Sequence, residues 1–95
     1  MQHRLHLSVV DYFCNQYAKW VKASSIEKIY AEIGKRIIKA RTAKGMSQEK
    51  LAAESGIDRT HMGYIEQGRR KPTLSTLFKI ASALDMKLEQ LLKGL

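Results

Sequence analysis

The chain has 95 residues and carries 17 lysines and arginines against 9 aspartates and glutamates, which gives a net charge of +8 at pH 7. This length suffices for one compact domain but not for two. No apolar run is long enough to cross a membrane, and the single cysteine, Cys14, cannot form an internal disulfide or hold zinc alone. The surplus of cations favours an anionic partner such as a phosphate backbone, although a basic surface can also simply keep a small protein in solution.

The N-terminal segment predicts an amphipathic helix between Ser8 and Lys22. Apolar residues recur in it at three- and four-residue spacing: Val10, Phe13, Cys14, Tyr17, Trp20 and Val21. Such a stripe needs a surface to pack on, which is either the rest of the domain, a second subunit or another protein. His3 and His6 have a spacing that suits a metal ion, but two ligands alone do not form a metal site, so no site is predicted. We expect an N-terminal extension over residues 1–24, helical from about residue 8, and no cofactor.

A second helix is predicted from Ser24 to about Lys44. Ser24 and Glu27 have the spacing of a capping box. Apolar residues then follow at helical intervals: Ile26, Ile29, Tyr30, Ile33, Ile37 and Ala40. Gly34 weakens this helix by about 1 kcal/mol relative to alanine, so a break there is a second possibility. Gly45 is expected to end it.

The stretch from Met46 to Gly68 predicts two short helices joined by a tight turn. Ser47 and Asp58 are suitable N-caps, because their side-chain oxygens can accept from free amides of the following turn. Gly56 suits a left-handed position between the helices. Helices of about ten residues are not stable alone, so the pair must pack on neighbouring helices. This is the geometry of a helix-turn-helix motif, whose second helix enters the major groove of DNA.

The remaining chain predicts a basic loop and two more helices. The loop consists of three cations before Pro72, which cannot continue a helix: Arg69, Arg70 and Lys71. Thr73 can cap the next helix, whose buried stripe would be Leu74, Leu77, Ile80, Ala81 and Leu84. The last helix is expected from Leu88 to about Leu92, after Lys87, a weak N-cap.

The sequence resembles the lambda-repressor-like (Xre/Cro/cI) family of DNA-binding domains over about residues 33–92. The matching segments come in fixed order: SQEKLA at 47–52, Gly56-Ile57, IEQG at 65–68 and KPTLSTLFKIASAL at 71–84. The DRTH at 58–61 is also similar to the recognition helix of restriction-modification controller proteins. The resemblance implies an all-α, five-helix bundle over residues 25–95, with the N-terminal helix added in front.

Candidates for reading DNA bases lie at the start of the second motif helix. Arg59 can donate two hydrogen bonds to the O6 and N7 atoms of guanine. Thr60 and His61 can reach a base or a phosphate. Tyr64 either faces a base or packs its ring on the bundle and offers its hydroxyl to a phosphate. In the family that the sequence resembles, the positions of Arg59, Thr60, Gly63 and Tyr64 face the bases.

Phosphate contacts are predicted around that helix. Gln48 matches a family glutamine that contacts a phosphate and braces the second helix, and a helix N-terminus itself attracts anions. Lys50 adds positive charge nearby. The loop cations are predicted to contact the sugar-phosphate strand: Arg69, Arg70 and Lys71. Arg41 and Glu66 match an internal ion pair of the family, so a structural role is expected for both.

The resemblance implies a sequence-specific transcriptional regulator that binds a near-palindromic operator as a homodimer, with residues 58–67 in the major groove. The expected dimer interface is formed by C-terminal leucines: Leu88, Leu91, Leu92 and Leu95. The helix Val10–Val21 could replace or extend it. An alternative function is an antitoxin or protein-interaction adaptor that docks through that helix. An enzyme is not expected, because no catalytic set, metal cluster or phosphate loop is recognisable. The expected partner is double-stranded DNA, the expected location is the cytoplasm, and no association with a membrane is expected.

Overall fold

The computed structural model describes residues 23–95, and this part of the chain consists of five helices with no β-strand. They are α1 (Ala23–Ala43), α2 (Gln48–Ser55), α3 (Arg59–Glu66), α4 (Leu74–Ala83) and α5 (Leu88–Leu92). The all-α class and the five-helix bundle are thereby confirmed. The helix predicted between Ser8 and Lys22 lies outside the described residues. Within residues 23–95, no helix combines the length and the apolar character that crossing a membrane requires.

Helix α1 is continuous, and the break considered at Gly34 does not occur. It begins at Ala23, one residue before the predicted cap Ser24. Ile33 and Ile37 are buried on either side of the glycine. Each buried isoleucine contributes about 1.5 to 3 kcal/mol, which exceeds the roughly 1 kcal/mol that the glycine costs. Packing therefore keeps the helix intact.

Two side-chain caps and one glycine define the α2 and α3 pair. The Ser47 hydroxyl accepts from the Lys50 amide at 3.0 Å, and Asp58 Oδ2 accepts from the amides of Thr60 and His61 at 3.0 and 3.3 Å. Gly56 has φ of +70°, which a residue with a Cβ rarely adopts. The predicted caps and turn are confirmed, so α3 follows α2 after a short, sharply defined turn.

The core lies where the five helices meet, and it is built from aliphatic and methionine side chains. The largest fully buried side chains come from all five helices: Ile37, Leu51, Met62, Ile65, Ile80 and Leu91. Helix α3 contributes two of them from only eight residues. Its position is therefore fixed by the core rather than by its own helical stability.

Helix α5 is held at both ends despite its weak N-cap. The Lys87 amide donates to Gln90 Oε1 at 2.8 Å, so a side chain from within the helix satisfies its start. At the other end, Arg36 Nη1 donates to the carbonyl oxygens of Leu91 at 3.2 Å and Lys93 at 2.6 Å. These bonds tie the C-terminus of α5 to α1. This role of Arg36 was not predicted from the sequence.

Candidate nucleic-acid interface

Helix α3 has one buried face and one open face. Met62 and Ile65 are fully buried against the rest of the bundle. Thr60 and Tyr64 are four residues apart, so they lie one above the other on the side of the helix that faces away from that core. The helix therefore presents a face that an external partner can reach along its length.

The first turn of α3 exposes two of the predicted base-reading side chains. Arg59 and Thr60 are exposed and His61 is half-buried. Within residues 23–95, the side chains of Arg59 and Thr60 make no hydrogen bond or ion pair. The Asp58 carboxylate occupies the backbone amides of this turn instead. The donors of Arg59 and the hydroxyl of Thr60 are available to a ligand.

The last turn of α3 is fixed by a buried carboxylate. The Glu66 side chain is 2% exposed, and it accepts from Arg41 Nε at 2.8 Å, from Arg41 Nη2 at 3.0 Å and from Gln48 Nε2 at 2.9 Å. Arg41 Nη1 also donates to the Met46 carbonyl oxygen at 3.0 Å. The structure thus places the predicted pair Arg41 and Glu66 in contact. Together with Gln48, this pair links α1, the start of α2 and the end of α3 through one charge-assisted hydrogen-bond network.

Gly34 allows α1 to approach the end of α3 closely. A Cβ atom built at this position would lie 2.4 Å from the Glu66 carbonyl oxygen and 2.7 Å from that of Ile65. Both neighbours are backbone atoms of a helix, which cannot move aside as a flexible side chain would. From the sequence, Gly34 was predicted only to weaken the helix. The sequence did contain a signal for this role, because a glycine inside an apolar helical stripe commonly allows another backbone to pack closely.

Gln48 and Lys50 lie on different sides of α2. Gln48 packs over α3, since its Oε1 atom is 3.5 Å from a Cβ built at Gly63. Lys50 is two residues later, about 200° around the helix. It lines a groove with Phe78 and other α4 residues and lies 3.9 Å from Glu54 Oε2. The rotation separates the Lys50 side chain from that of Gln48, and the phosphate contact of this exposed lysine stays a prediction.

The basic loop is organised around the ring of Tyr64. The guanidinium carbons of Arg69 and Arg70 lie 5.5 and 5.0 Å from the ring centroid, within cation–π range. Tyr64 is half-buried, whereas both arginines and Lys71 are exposed. This arrangement brings the predicted base contact Tyr64 together with the predicted phosphate contacts of the loop.

The C-terminal leucines do not form one surface. Leu91 is 0% exposed and belongs to the core, so its assignment to a dimer interface was wrong: a side chain without accessible surface cannot contact a partner. Leu88 and Leu92 are half-buried against the core, and Leu95 is exposed. Only these three can contribute to an interface.

The described geometry defines a helix-turn-helix protein, and comparison with known families gives the same result. The helix-turn-helix model HTH_3 matches residues 37–91, which is more than half of the chain. The chain therefore belongs to this family of DNA-binding transcriptional regulators. The predicted resemblance is confirmed. Membership of this family also confirms the expectation that the chain is not an enzyme.

Several relatives are proteins of regulatory type. The control protein C.SmaI of Serratia marcescens is 40% identical over 70% of this chain and 76% of its own length. The crystal structure of the restriction-modification controller protein C.AhdI from Aeromonas hydrophila is 44% identical, with a TM-score of 0.64 over 65% of this chain and 94% of that one. The prophage-derived transcriptional regulator YonR of Bacillus subtilis is 43% identical over 64% of this chain, and the match spans 56% of the length of YonR.

Proposed function

We propose that this protein is a sequence-specific transcriptional regulator that binds a near-palindromic operator as a homodimer, with residues 58–67 in the major groove. The observation that carries this proposal is the contrast along α3. Its last turn is fixed by Glu66, while the side chains of Arg59 and Thr60 at its first turn are exposed. A helix-turn-helix protein docks with the N-terminal residues of its second helix against base edges.

Arg59 is the proposed principal base contact. Its guanidinium can donate two parallel hydrogen bonds to guanine, a geometry that the other base pairs do not offer. Thr60 and His61 are proposed to contact neighbouring bases or the backbone. Gly63 leaves the middle of the helix without a side chain, so base reading is concentrated in the first turn.

The proposed phosphate contacts lie at both ends of the motif. Gln48 begins α2, where free amides and the helix dipole favour an anion. On the other side, Arg69, Arg70 and Lys71 follow α3 and are exposed. Such contacts set the position of the protein on DNA without reading sequence. Lys50 is exposed and is a further proposed phosphate contact, on the side of α2 toward α4.

A homodimer is proposed because one short helix reads only a few base pairs. Two protomers on half-sites about 34 Å apart would place both α3 helices on the same side of the duplex. Leu88, Leu92 and Leu95 are the C-terminal leucines that remain available for the interface. Since DNA is the proposed partner, the cytoplasm is the proposed location. Sedimentation at micromolar concentration that shows only monomer, with and without DNA, would contradict this part.

Selection of bound sequences from random duplex DNA tests the proposal as a whole. We expect a two-fold symmetric consensus for the wild-type chain and loss of a conserved guanine from it for Arg59→Ala. The matched control is Arg70→Ala, which should keep the consensus and weaken binding to all sequences. The slope of the logarithm of the binding constant against the logarithm of the salt concentration should fall by about one per protomer, because one phosphate contact is lost. Salt-dependent binding without any consensus would show nonspecific association and overturn the proposal.

A further inference from the structure

The chain reverses its direction at the end of α3 and returns beside Tyr64. The Gly68 amide donates to the Ile65 carbonyl oxygen at 3.0 Å, and the Arg69 amide donates to that of Tyr64 at 2.9 Å. This pair of hydrogen bonds closes a helix when the residue just after it is left-handed, and Gly68 has φ of +74°. The fold therefore places the start of the basic loop next to a side chain of α3.

The backbone of the loop is held at both ends. At its start, a Cβ built at Gly68 would lie 2.8 Å from the Cα atom of Ala31, so the reversal packs closely on α1. At its other end, Pro72 is buried. The three cations between these two points, residues 69–71, are exposed. The loop thus has a fixed path and presents its charged side chains to solvent.

The ring of Tyr64 holds two of these cations without neutralising them. The guanidinium carbons of Arg69 and Arg70 lie 5.5 and 5.0 Å from its centroid. Within residues 23–95, neither guanidinium forms an ion pair with a carboxylate, and Arg69 Nη1 donates to the neutral Gln67 Oε1 at 3.4 Å. A cation–π contact leaves the full positive charge in place, so both arginines can still bind an anion.

We propose that Tyr64 is a positioning residue for the phosphate contacts of Arg69 and Arg70 and does not read a base. The inference rests on the proposed DNA-binding function. A freely moving arginine loses rotamer freedom when it binds a phosphate, and a side chain already held on a ring loses less. Since phosphate contacts carry no sequence information, Tyr64 should strengthen binding to every sequence equally.

The ring contact can be measured without DNA. Protons above the face of an aromatic ring give NMR signals that are shifted upfield. We expect this shift for the side-chain protons of Arg69 and Arg70 in the folded full chain, relative to the chain unfolded by denaturant. Tyr64→Phe should keep the shift and Tyr64→Leu should remove it. Unshifted signals in the folded wild-type chain would overturn the proposal, whether or not the variants fold.

Binding to duplex DNA of random sequence measures the effect on affinity. Tyr64→Leu keeps an apolar side chain but removes the ring, and it should weaken binding by about two- to fivefold, as expected for the loss of exposed cation–π contacts. Tyr64→Phe keeps the ring and should bind as the wild type does. A Tyr64→Phe protein as weak as Tyr64→Leu would assign the effect to the hydroxyl group and overturn the proposal.

Combined variants test whether Tyr64 acts through the two arginines. Tyr64→Leu should cause no further loss in a chain that carries Arg69→Ala and Arg70→Ala. The matched control is Lys71→Ala, since this lysine is an exposed cation of the same loop, and the ring contacts involve its two neighbours. In that chain, Tyr64→Leu should keep its full effect. Further weakening in the chain without the two arginines would overturn the proposal.

Sequence selection separates this proposal from the proposed function. The Tyr64→Leu protein should return the same consensus as the wild type, and a change at one base position would make Tyr64 a base contact and overturn the positioning role. If the wild-type chain returns no consensus, sequence-specific regulation fails. The NMR shifts and the affinities for random duplex DNA then still decide the role of Tyr64, because neither requires an operator.

Discussion

The two ends of α3 differ in how firmly the rest of the molecule holds them. The last turn is held by Arg41 and Gln48 on the Glu66 carboxylate and by the close approach of Gly34 to two carbonyl oxygens. The first turn has only its Asp58 cap, and Arg59 and Thr60 extend from it into solvent. The difference shows that this fold fixes the orientation of α3 from one end and leaves the other end free for a ligand.

This division predicts that stability and binding respond to different residues. Changes around Glu66 should unfold the protein or misplace α3, with binding lost as a consequence. Changes at Arg59 should affect recognition alone.

The largest effect is expected for Arg41→Ala. It leaves the Glu66 carboxylate buried with one remaining donor, Gln48, and removes the bond to the Met46 carbonyl. We expect a loss of about 3 to 5 kcal/mol in the free energy of unfolding, because an uncompensated buried charge is costly. Chemical denaturation measures it. Weakened DNA binding with unchanged stability would instead mean that Arg41 contacts the ligand.

Gly34→Ala should destabilise the protein by about 1 to 3 kcal/mol. Alanine would normally strengthen a helix interior by roughly 1 kcal/mol, but its Cβ would meet the backbone at 2.4 Å and force α1 away from α3. The control is Lys35→Ala at the neighbouring exposed position, which should change stability by less than about 0.5 kcal/mol. A stabilised Gly34→Ala protein would show that the two helices can separate without cost.

Arg59→Ala should leave the melting temperature unchanged, since no hydrogen bond or ion pair within residues 23–95 involves its side chain. Discrimination between the selected operator and a variant lacking the contacted guanine should fall by about 1 to 3 kcal/mol. Competition binding with the two duplexes measures it. Arg59→Lys is the stringent control, because lysine keeps the charge but loses the planar pair of donors. Full discrimination in both variants would remove Arg59 from the proposed interface.

The smallest effect is expected for Asp85→Asn. The Lys44 ammonium, which donates a hydrogen bond to this exposed carboxylate and attracts it electrostatically, lowers the pKa of Asp85 below its ordinary value of 3.8. Because the folded-state pKa is the lower one, the pair stabilises the protein above pH 3.8, and this contribution is lost as the pH falls through the folded-state pKa.

Thermal melts of wild-type and Asp85→Asn proteins at several pH values test this pair. Asparagine also tolerates the left-handed backbone at this position, where φ is +57°, so the substitution changes charge with little strain. We expect a small deficit for Asp85→Asn near neutral pH that disappears in acid. A deficit that persists below the folded-state pKa would point to the backbone rather than to the charge.

The sequence predicted the local features of this fold because each depends on a few neighbouring residues. The caps at Ser47 and Asp58 and the turn at Gly56 follow from side-chain chemistry and backbone sterics within one helical turn. The apolar stripe of α1 likewise follows from spacing alone. For Arg41 and Glu66, 25 residues apart, the pairing came from the family resemblance rather than from spacing.

The wrong assignment of Leu91 arose because the surroundings of a side chain come from distant parts of the chain. Leu91 and Leu92 are adjacent and chemically identical, yet only Leu91 is completely buried. Lys50 and Gln48 are both polar residues of the first turn of α2, but the rotation between them directs one toward α4 and the other toward α3. Periodicity identifies a helical face without identifying the element that covers it.

Short-range sterics, hydrogen bonding and apolar spacing are therefore sufficient to predict the helices, their caps, the helix-turn-helix motif and the exposed arginine at the start of α3. The close packing at Gly34, the hydrogen bonds from Arg36 to the end of α5 and the burial of Leu91 became evident from the folded chain. The physical reason is that burial and contact depend on which distant surfaces meet, and the core and the Glu66 network fix that meeting in three dimensions.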